Sequence, residues 1–562
     1  MRTFHTSRPP VLLELDLSRG LLESAPTDPV AALRRRGLPT LRGLVERLHR
    51  AAADPHVVGL VGHVGHETLT PAQADELAAA VEAFGATGRS TVAYAESFGE
   101  MAGASTSYRL ALGFDTIWLQ PSGRLGLTGF SARGVFLRRL LDRLGVQPQI
   151  GQRHEYKGAA DTFMSPAMPP AQREALQRVT DSVLDWLVRE TARRRRVSEP
   201  AVRTAVDEAP LGSERAVELG LVDRLGYRDE VYADLRSRLA DDGRLALRYA
   251  HRWSPSGLAA VTDRARQRRR PVVALVSVLG GIVPGRGQAT PLGGPRAGSD
   301  PVTAALRAAG RRDDVRAVVL RVVSPGGSYI ASDAIRREVL QLRGTGRPVV
   351  ASMGTVAASG GYFVAMGCDE IITTASTITG SIGVLAGKLA IGVALERAGI
   401  GLESVGAGRQ ATMFDSDQPF DEEQWQQVNE WLDEVYADFT AKAAADRSMA
   451  LDRLESLARG RIWTGADAVE HGLADRLGGL RAAVRRSAER AGLDPAEVRL
   501  AAVPHVSPLD RLRPPESSES PAAALPLGML AACGAPGVEG LLARSGLQPC
   551  GVLALPGHWD QH

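Results

Sequence analysis

Residues 347–384 read RPVVASMGTVAASGGYFVAMGCDEIITTASTITGSIGV, and the fold is decided by how this stretch breaks. Residues 349–353, VVASM, are a short apolar run of the kind that fills a buried strand. The small residues 354–358 read as a turn. Ser359-Gly360-Gly361 follows, and the apolar residues 362–366 then read as a helix entering the core, so that the helix spans 359–366. A serine at a strand-to-helix turn stands where helix N–H groups point outward and favour developing negative charge. Two glycines behind it let a substrate backbone come close. That is the layout an acyl-transfer nucleophile needs. An isolated ASGG is also simply a Gly/Ser-rich helix cap, so the rest of the chain has to decide between them.

The chain repeats itself. GSERAVELGLVDRLGY, 212–227, returns as TGADAVEHGLADRLGG, 464–479, and Ala216, Gly220, Asp223 and Leu225 each recur 252 residues on. YRLALGFDTIWLQPSGRLGLTGF, 108–130, aligns with 362–384 at an offset of 254. A period this long means two related domains rather than a solenoid. In the second copy, strands are expected at 272–278, 317–323, 349–353 and 370–373, and helices at 301–309, 332–342 and 359–366. This alternation predicts βαβ units on a mainly parallel sheet with helices outside, an α/β protein. The expected division is 1–245, a linker at 246–270, 271–500, and a Pro/Ser/Ala-rich tail, 501–562, without a packed core. Residues 280–298, rich in glycine and proline, read as a mobile loop without a phosphate-binding GxxxxGK[ST].

With 562 residues, 44% of them apolar and 23% charged, the chain has the make-up of a soluble protein of several domains. A net charge of +3 gives no basis for a nucleic-acid partner. The arginine runs 34–36, 193–196 and 268–270 read as solvated faces. Cys368, Cys533 and Cys550 make no disulfide framework, and Cys368 reads as a core residue. No apolar run of signal-peptide length opens the sequence, and the uncharged stretch 348–368 is too rich in Gly, Ser and Ala to read as a membrane span. Of 67 basic residues only Lys157, Lys388 and Lys442 are lysine. A lysine kept in such a chain has a use that arginine does not serve, since only lysine loses its proton when desolvated. Lys388 and Lys442 read as solvated.

Ser324-Pro325-Gly326-Gly327 follows the strand expected at 317–323. Neighbouring parallel strands end on one side, so this loop and the Ser359 turn meet at one sheet edge. Backbone N–H groups of Gly326 or Gly327, with that of Gly360, are candidates for an oxyanion hole. No histidine lies in the loops near Ser359, and His471 reads as structural. Lys157, in the irregular GQRHEYKGAADTF, remains as a base. Its counterpart region in the second copy holds Arg409 and Gln410 and no lysine, whereas Ser105, the first-copy counterpart of Ser359, lacks the paired glycines. One copy keeps the better serine and the other the lysine, which points to one site built from both.

Five motifs together carry a resemblance: LRVVSPGGS (320–328), MGTVAASGGYF (353–363), STITGSIGV (376–384), EYKGAADTFMSP (155–166) and RIWTGADAVEHGLADRLG (461–478). Over roughly residues 10–500 the chain resembles the signal peptide peptidase A (protease IV) family in its long, two-domain form. The resemblance implies two tandem Clp-protease/crotonase-like (ββα-spiral) domains from an internal duplication. It implies a Ser/Lys dyad, with Ser359 the nucleophile, Lys157 the general base and Ser381 orienting the lysine. It implies no metal or other cofactor, short hydrophobic peptides such as remnant signal peptides as substrates, and a ring-like homo-oligomer, a tetramer by family precedent. Many relatives carry asparagine where Val323 stands, and many begin with a membrane anchor not seen here; the expected location is cytoplasmic or peripheral to the membrane. Two other readings share parts of this pattern: a crotonase-type acyl-CoA enzyme, which requires neither Ser359 nor Lys157, and an inactive peptide-binding scaffold.

Overall fold

The computed structural model describes residues 9–24, 37–66, 68–240, 244–255, 267, 269–287 and 295–503. The tail beyond 503, with Cys533 and Cys550, and the arginines at 34–36 and 268 lie outside the described residues.

Each half of the chain builds a parallel sheet. The first runs Arg224–Leu225, Thr116–Leu119, Ser90–Ala95, Val57–His63, Val11–Asp16, Ala246–Tyr249, with every neighbouring pair parallel. The second has eight strands, six of which run Arg476–Leu477, Glu370–Thr373, Val349–Ala358, Val315–Ser324, Val272–Leu279, Arg499–Ala502, again all parallel. These six match the first sheet strand for strand; the other two, Ile378–Gly380 beside the end of Val349–Ala358 and Ile462–Thr464 antiparallel to Ile378–Gly380, are additional. The first sheet takes its last strand from within 246–270, so that stretch is part of the sheet at its start rather than wholly linker.

The strands are β-branched runs because both sheet faces are buried. In the second sheet Val272, Ala274 and Val276 face one core with Val318, Leu320, Val349 and Ala351. The alternate residues Val273, Leu275, Val319 and Val350 face another, under the helix Leu480–Arg490. Cys368 is buried in the larger core, as expected of a small apolar residue.

Three expectations are corrected. Residues 354–358 are not a turn: the strand continues to Ala358, and its end pairs with Ile378–Gly380. The small side chains there answer a packing demand, since a Cβ on Gly354 would stand 2.6 Å from the Val323 side chain. The described part of 280–298 is ordered into a parallel pair, Gly281–Val283 with Arg296–Gly298. The arginine run 193–196 is only in part a solvated face: Arg193 and Arg196 are exposed, Arg193 while paired with Glu190 at 2.9 Å, whereas Arg194 donates to the Leu112 carbonyl at 2.6 Å and Arg195 pairs with Asp223 at 2.6 Å.

The halves interlock. Gln147–Gln152 of the first runs antiparallel to Leu385–Ala390 of the second. The 26-residue helix Pro170–Arg195 lies against Ile462–Thr464, with Ser182 Oγ 2.7 Å from Thr464 Oγ1. Buried Arg321 of the second half pairs with Glu23 at 2.7 Å and Glu76 at 3.0 Å of the first. A charge this deep is tolerable only with such partners.

Candidate active site

Ser359 follows the strand Val349–Ala358 and precedes the helix Gly360–Met366. Its backbone has φ 55° and ψ −117°, a conformation L-residues rarely adopt. Strain of about 1–3 kcal/mol is typical of such a position and persists only where the surroundings enforce it. Here the Ser359 N–H donates to the Gly380 carbonyl at 2.8 Å, and its carbonyl accepts from Phe363 N–H at 2.9 Å. Glycines then allow close packing. A Cβ on Gly360 would stand 2.7 Å from Ser332 Oγ and 3.1 Å from Gly327 N, and one on Gly361 2.5 Å from the Ser324 carbonyl oxygen. The two halves of the expected oxyanion loop therefore touch.

Gly326 is a correction within that loop. Its N–H already donates to Ser324 Oγ at 3.1 Å, and its carbonyl accepts from Ile282 N–H at 2.8 Å. The hydroxyl of Ser324 competes for the donor, which leaves Gly327 and Gly360 as the candidates.

Lys157 arrives from the other half. The strand Gln147–Gln152 is held by Leu385–Ala390, and the chain beyond it turns into the second domain, where Tyr156 N–H donates to the Arg459 carbonyl at 3.2 Å. The Lys157 Nζ lies 2.8 Å from Ser359 Oγ, 2.9 Å from the Ser381 carbonyl oxygen and 3.0 Å from Ser381 Oγ. Lys157, Ser359 and Ser381 have no solvent exposure. Burial pushes the Lys157 amine well below the usual lysine range. A neutral amine has two N–H donors and one lone pair. All three oxygens lie within hydrogen-bond distance of Nζ, and in the neutral form the amine can give its two N–H groups to the Ser381 oxygens and accept from the Ser359 hydroxyl.

Two glycines seat this lysine, and neither stood out as a site residue in the sequence. A Cβ on Gly460 would lie 2.5 Å from Lys157 N and 2.6 Å from its Cα and Cβ, and one on Gly383 would lie 3.2 Å from Lys157 Cδ. Gly383 stood inside the quoted TGSIGV. Gly460 carried only the weak signal of a glycine before a strand.

The other candidates lie elsewhere. His471 stacks edge-on with Trp463, ring centres 4.5 Å apart, a packing role. Ser105 opens a short helix and accepts from Gly129 N–H at 3.0 Å, with no lysine beside it. Lys388 is not solvated: its Nζ donates to the carbonyls of Met413 at 2.7 Å and Asp415 at 2.9 Å and sits over the Phe420 ring. Lys442 is ion-paired with Asp333 at 2.7 Å and Asp438 at 2.8 Å.

A buried serine hydroxyl within hydrogen-bond reach of a lysine whose pKa burial depresses, on an α/β scaffold, is an arrangement that can activate an alcohol as a nucleophile. Comparison with known families agrees in kind: the description Peptidase family S49 matches residues 87–241 and again 341–494. The chain belongs to peptidase family S49. It is 29% identical over 461 residues to "Serine protease SPPA, chloroplastic" of Arabidopsis thaliana, covering 81% of this chain and 66% of that one. It is 28% identical to "Protease 4" of Salmonella typhi and 27% identical to "Protease 4" of Haemophilus influenzae. These matches cover 81% and 79% of this chain and 72% of each relative. The match thus spans just under two thirds of the plant relative's length and somewhat more of the bacterial ones.

Proposed function

We propose that the chain is a serine endopeptidase working through a Ser359/Lys157 dyad. The observation that carries this reading is the contact of 2.8 Å between Nζ and Oγ of two fully buried side chains. Lys157 takes the Ser359 proton, and Oγ attacks the peptide carbonyl. Gly327 and Gly360 N–H groups hold the resulting oxyanion. The ammonium then returns the proton to the leaving amine, and water, deprotonated by the same lysine, releases the acyl group from Ser359. Ser381 holds the amine with its lone pair toward the alcohol.

The matching strand orders of the two sheets support a duplication into two tandem Clp-protease/crotonase-like domains. The first carries past 245 to include Ala246–Tyr249, and the second begins at 271. The family resemblance supports short hydrophobic peptides, remnant signal peptides among them, as substrates. Among the described residues no helix is long and apolar enough to cross a membrane.

A fluorophosphonate probe tests the reading. Ser359 is expected to be the labelled residue, with labelling and hydrolysis of an apolar reporter peptide both lost in Ser359→Ala and Lys157→Arg. Hydrolysis retained by Lys157→Arg overturns the dyad. Absence of labelling in the wild-type chain favours an acyl-CoA enzyme or a binding scaffold on the same fold.

A further inference from the structure

Two side chains in the motifs around the dyad are joined to each other. Tyr156 precedes Lys157, and Arg461 follows Gly460, against which the Lys157 backbone lies. The Arg461 guanidinium stands over the Tyr156 ring, 3.9 Å from its centre. It also donates to Glu174 Oε1 at 2.6 Å, and the Tyr156 hydroxyl donates to Glu174 Oε2 at 3.0 Å. Glu174 comes from the helix Pro170–Arg195, so the three side chains close a clamp across the two halves. Tyr156 packs in addition against the apolar patch that includes Ala358, the residue before Ser359.

Arg461 reaches the site by its backbone as well. Its carbonyl accepts from the Ser381 N–H at 2.7 Å, and Ser381 is held at φ 50°. Strained backbone gathers here: of the six residues other than glycine with positive φ among the described residues, His154, Ser359, Ser381 and Arg459 lie in or beside the site. The ion pair alone holds little, because Glu174 is 57% exposed and Arg461 20%. What a lysine at 461 could not copy is a flat guanidinium that stacks on a ring while donating in its own plane. The repeat supplies a contrast. At the offset of 252 the counterpart of Arg461 is Ala209, in the copy whose Ser105 has no lysine beside it.

We propose that Arg461 is a positioning residue for the dyad: its guanidinium clamps Tyr156 and so fixes the Lys157 amine, while its carbonyl fixes Ser381, the partner of that amine. Without the guanidinium the outer face of Tyr156 is open, residues 154–157 are free to swing, and water reaches Nζ, which regains its proton. The effect on turnover rests on the Ser359/Lys157 reading; the effect on the amine does not.

Two measurements on the full chain test this, each on wild type, Arg461→Ala, Arg461→Lys and Tyr156→Phe. The first is urea unfolding from pH 7 to pH 10. The groups facing the clamp do not titrate in that window: His154, Glu155 and Glu174 are held below their usual ranges, and Tyr156 and Tyr436 above theirs. A buried neutral amine makes the wild-type midpoint rise with pH. Both Arg461 variants are expected to lose that rise, and Tyr156→Phe, which keeps the stacked ring, to retain it. The second is the pH–rate profile on the apolar reporter peptide. Both Arg461 variants are expected to lose ~10²-fold in kcat with KM within about threefold of wild type, and their acid limb to move to higher pH. Tyr156→Phe is expected to stay within about threefold of wild type in kcat. Should Arg461→Ala fail to fold, Tyr156→Leu, which removes the ring and leaves the arginine, carries the same expectations. An Arg461→Ala chain that keeps the wild-type rise, a kcat loss with an unmoved acid limb, full activity in Arg461→Lys, or a wild type without the rise overturns the proposal. An inactive wild type whose rise is lost in Arg461→Ala upholds the clamp and sinks the peptidase reading instead.

Discussion

Replacing Lys157 by methionine should destroy the chemistry and, at neutral pH, make the protein more stable. An ordinary lysine has a pKa near 10.4, so holding it neutral at pH 7 costs about 4–5 kcal/mol at 1.36 kcal/mol per unit. Burial depresses the amine well below its usual range with no carboxylate to offset it, and on the dyad reading the folded chain carries that cost. Methionine fills a similar volume without it. The substitution also removes the contacts of Nζ with the Ser359 hydroxyl and the Ser381 carbonyl and hydroxyl at 2.8, 2.9 and 3.0 Å. Each lost bond is worth about 1 kcal/mol. The net expectation at pH 7 is a gain of about 1–2 kcal/mol.

The sign reverses with pH. In the window between the depressed folded pKa and about 10.4, the unfolded chain binds a proton that the folded chain refuses, so wild-type stability rises with pH there. At pH 10 the cost of neutrality falls to about 0.5 kcal/mol, and the lost hydrogen bonds then dominate. Lys157→Met should therefore be more stable than wild type at pH 7, equal near about pH 8 and less stable at pH 10. Urea unfolding of both chains across this range reads the difference directly. A variant less stable than wild type at pH 7, or a difference that does not move with pH, refutes the neutral amine and with it the base.

Three further outcomes follow from the same geometry. Gly460→Ala sets a methyl group against the Lys157 backbone at 2.5–2.6 Å, and at a positive φ. A lysine displaced by about 1 Å should lower kcat by ~10²-fold. An unchanged kcat in a folded Gly460→Ala variant excludes the seating role. Ser381→Ala removes one acceptor that favours the charged amine, so the acid limb of the pH–rate profile should move to lower pH while the plateau drops about tenfold; a limb that moves upward contradicts the assignment. Gly360→Ala drives a methyl group to 2.7 Å from Ser332 Oγ and 3.1 Å from Gly327 N. Turnover should fall by ~10²-fold or more as the oxyanion donors part, with labelling of Ser359 slowed in parallel.

The parts of this site that the sequence revealed are those written as local pattern. Ser359 was legible because a β-branched run, a serine with two glycines and an apolar helix lie consecutively. Lys157 was legible because the chain holds so few lysines and because the repeat offers no counterpart. The path between them was not legible. The strand that carries the lysine arm is QPQIGQ and its partner is LAGKLA. Neither alternates cleanly, so no period marks them as a pair, and they pair because the two copies fold against each other. Lys388, within that partner strand, read as solvated for the same reason. Two carbonyls and the Phe420 ring replace its water, and they come from 25 to 32 residues further along the chain. Glycines 383 and 460 mark where the arm passes closest to the second domain. A residue that works by lacking a side chain leaves no chemical trace in the sequence; it shows only once the neighbour it admits is in view. The proposed catalytic pair thus depends on an interface between the two halves, and that dependence has a consequence. A buried neutral lysine is stable only when its arm is seated, so the second domain alone should hold Ser359 in its strained turn and have no base to activate it.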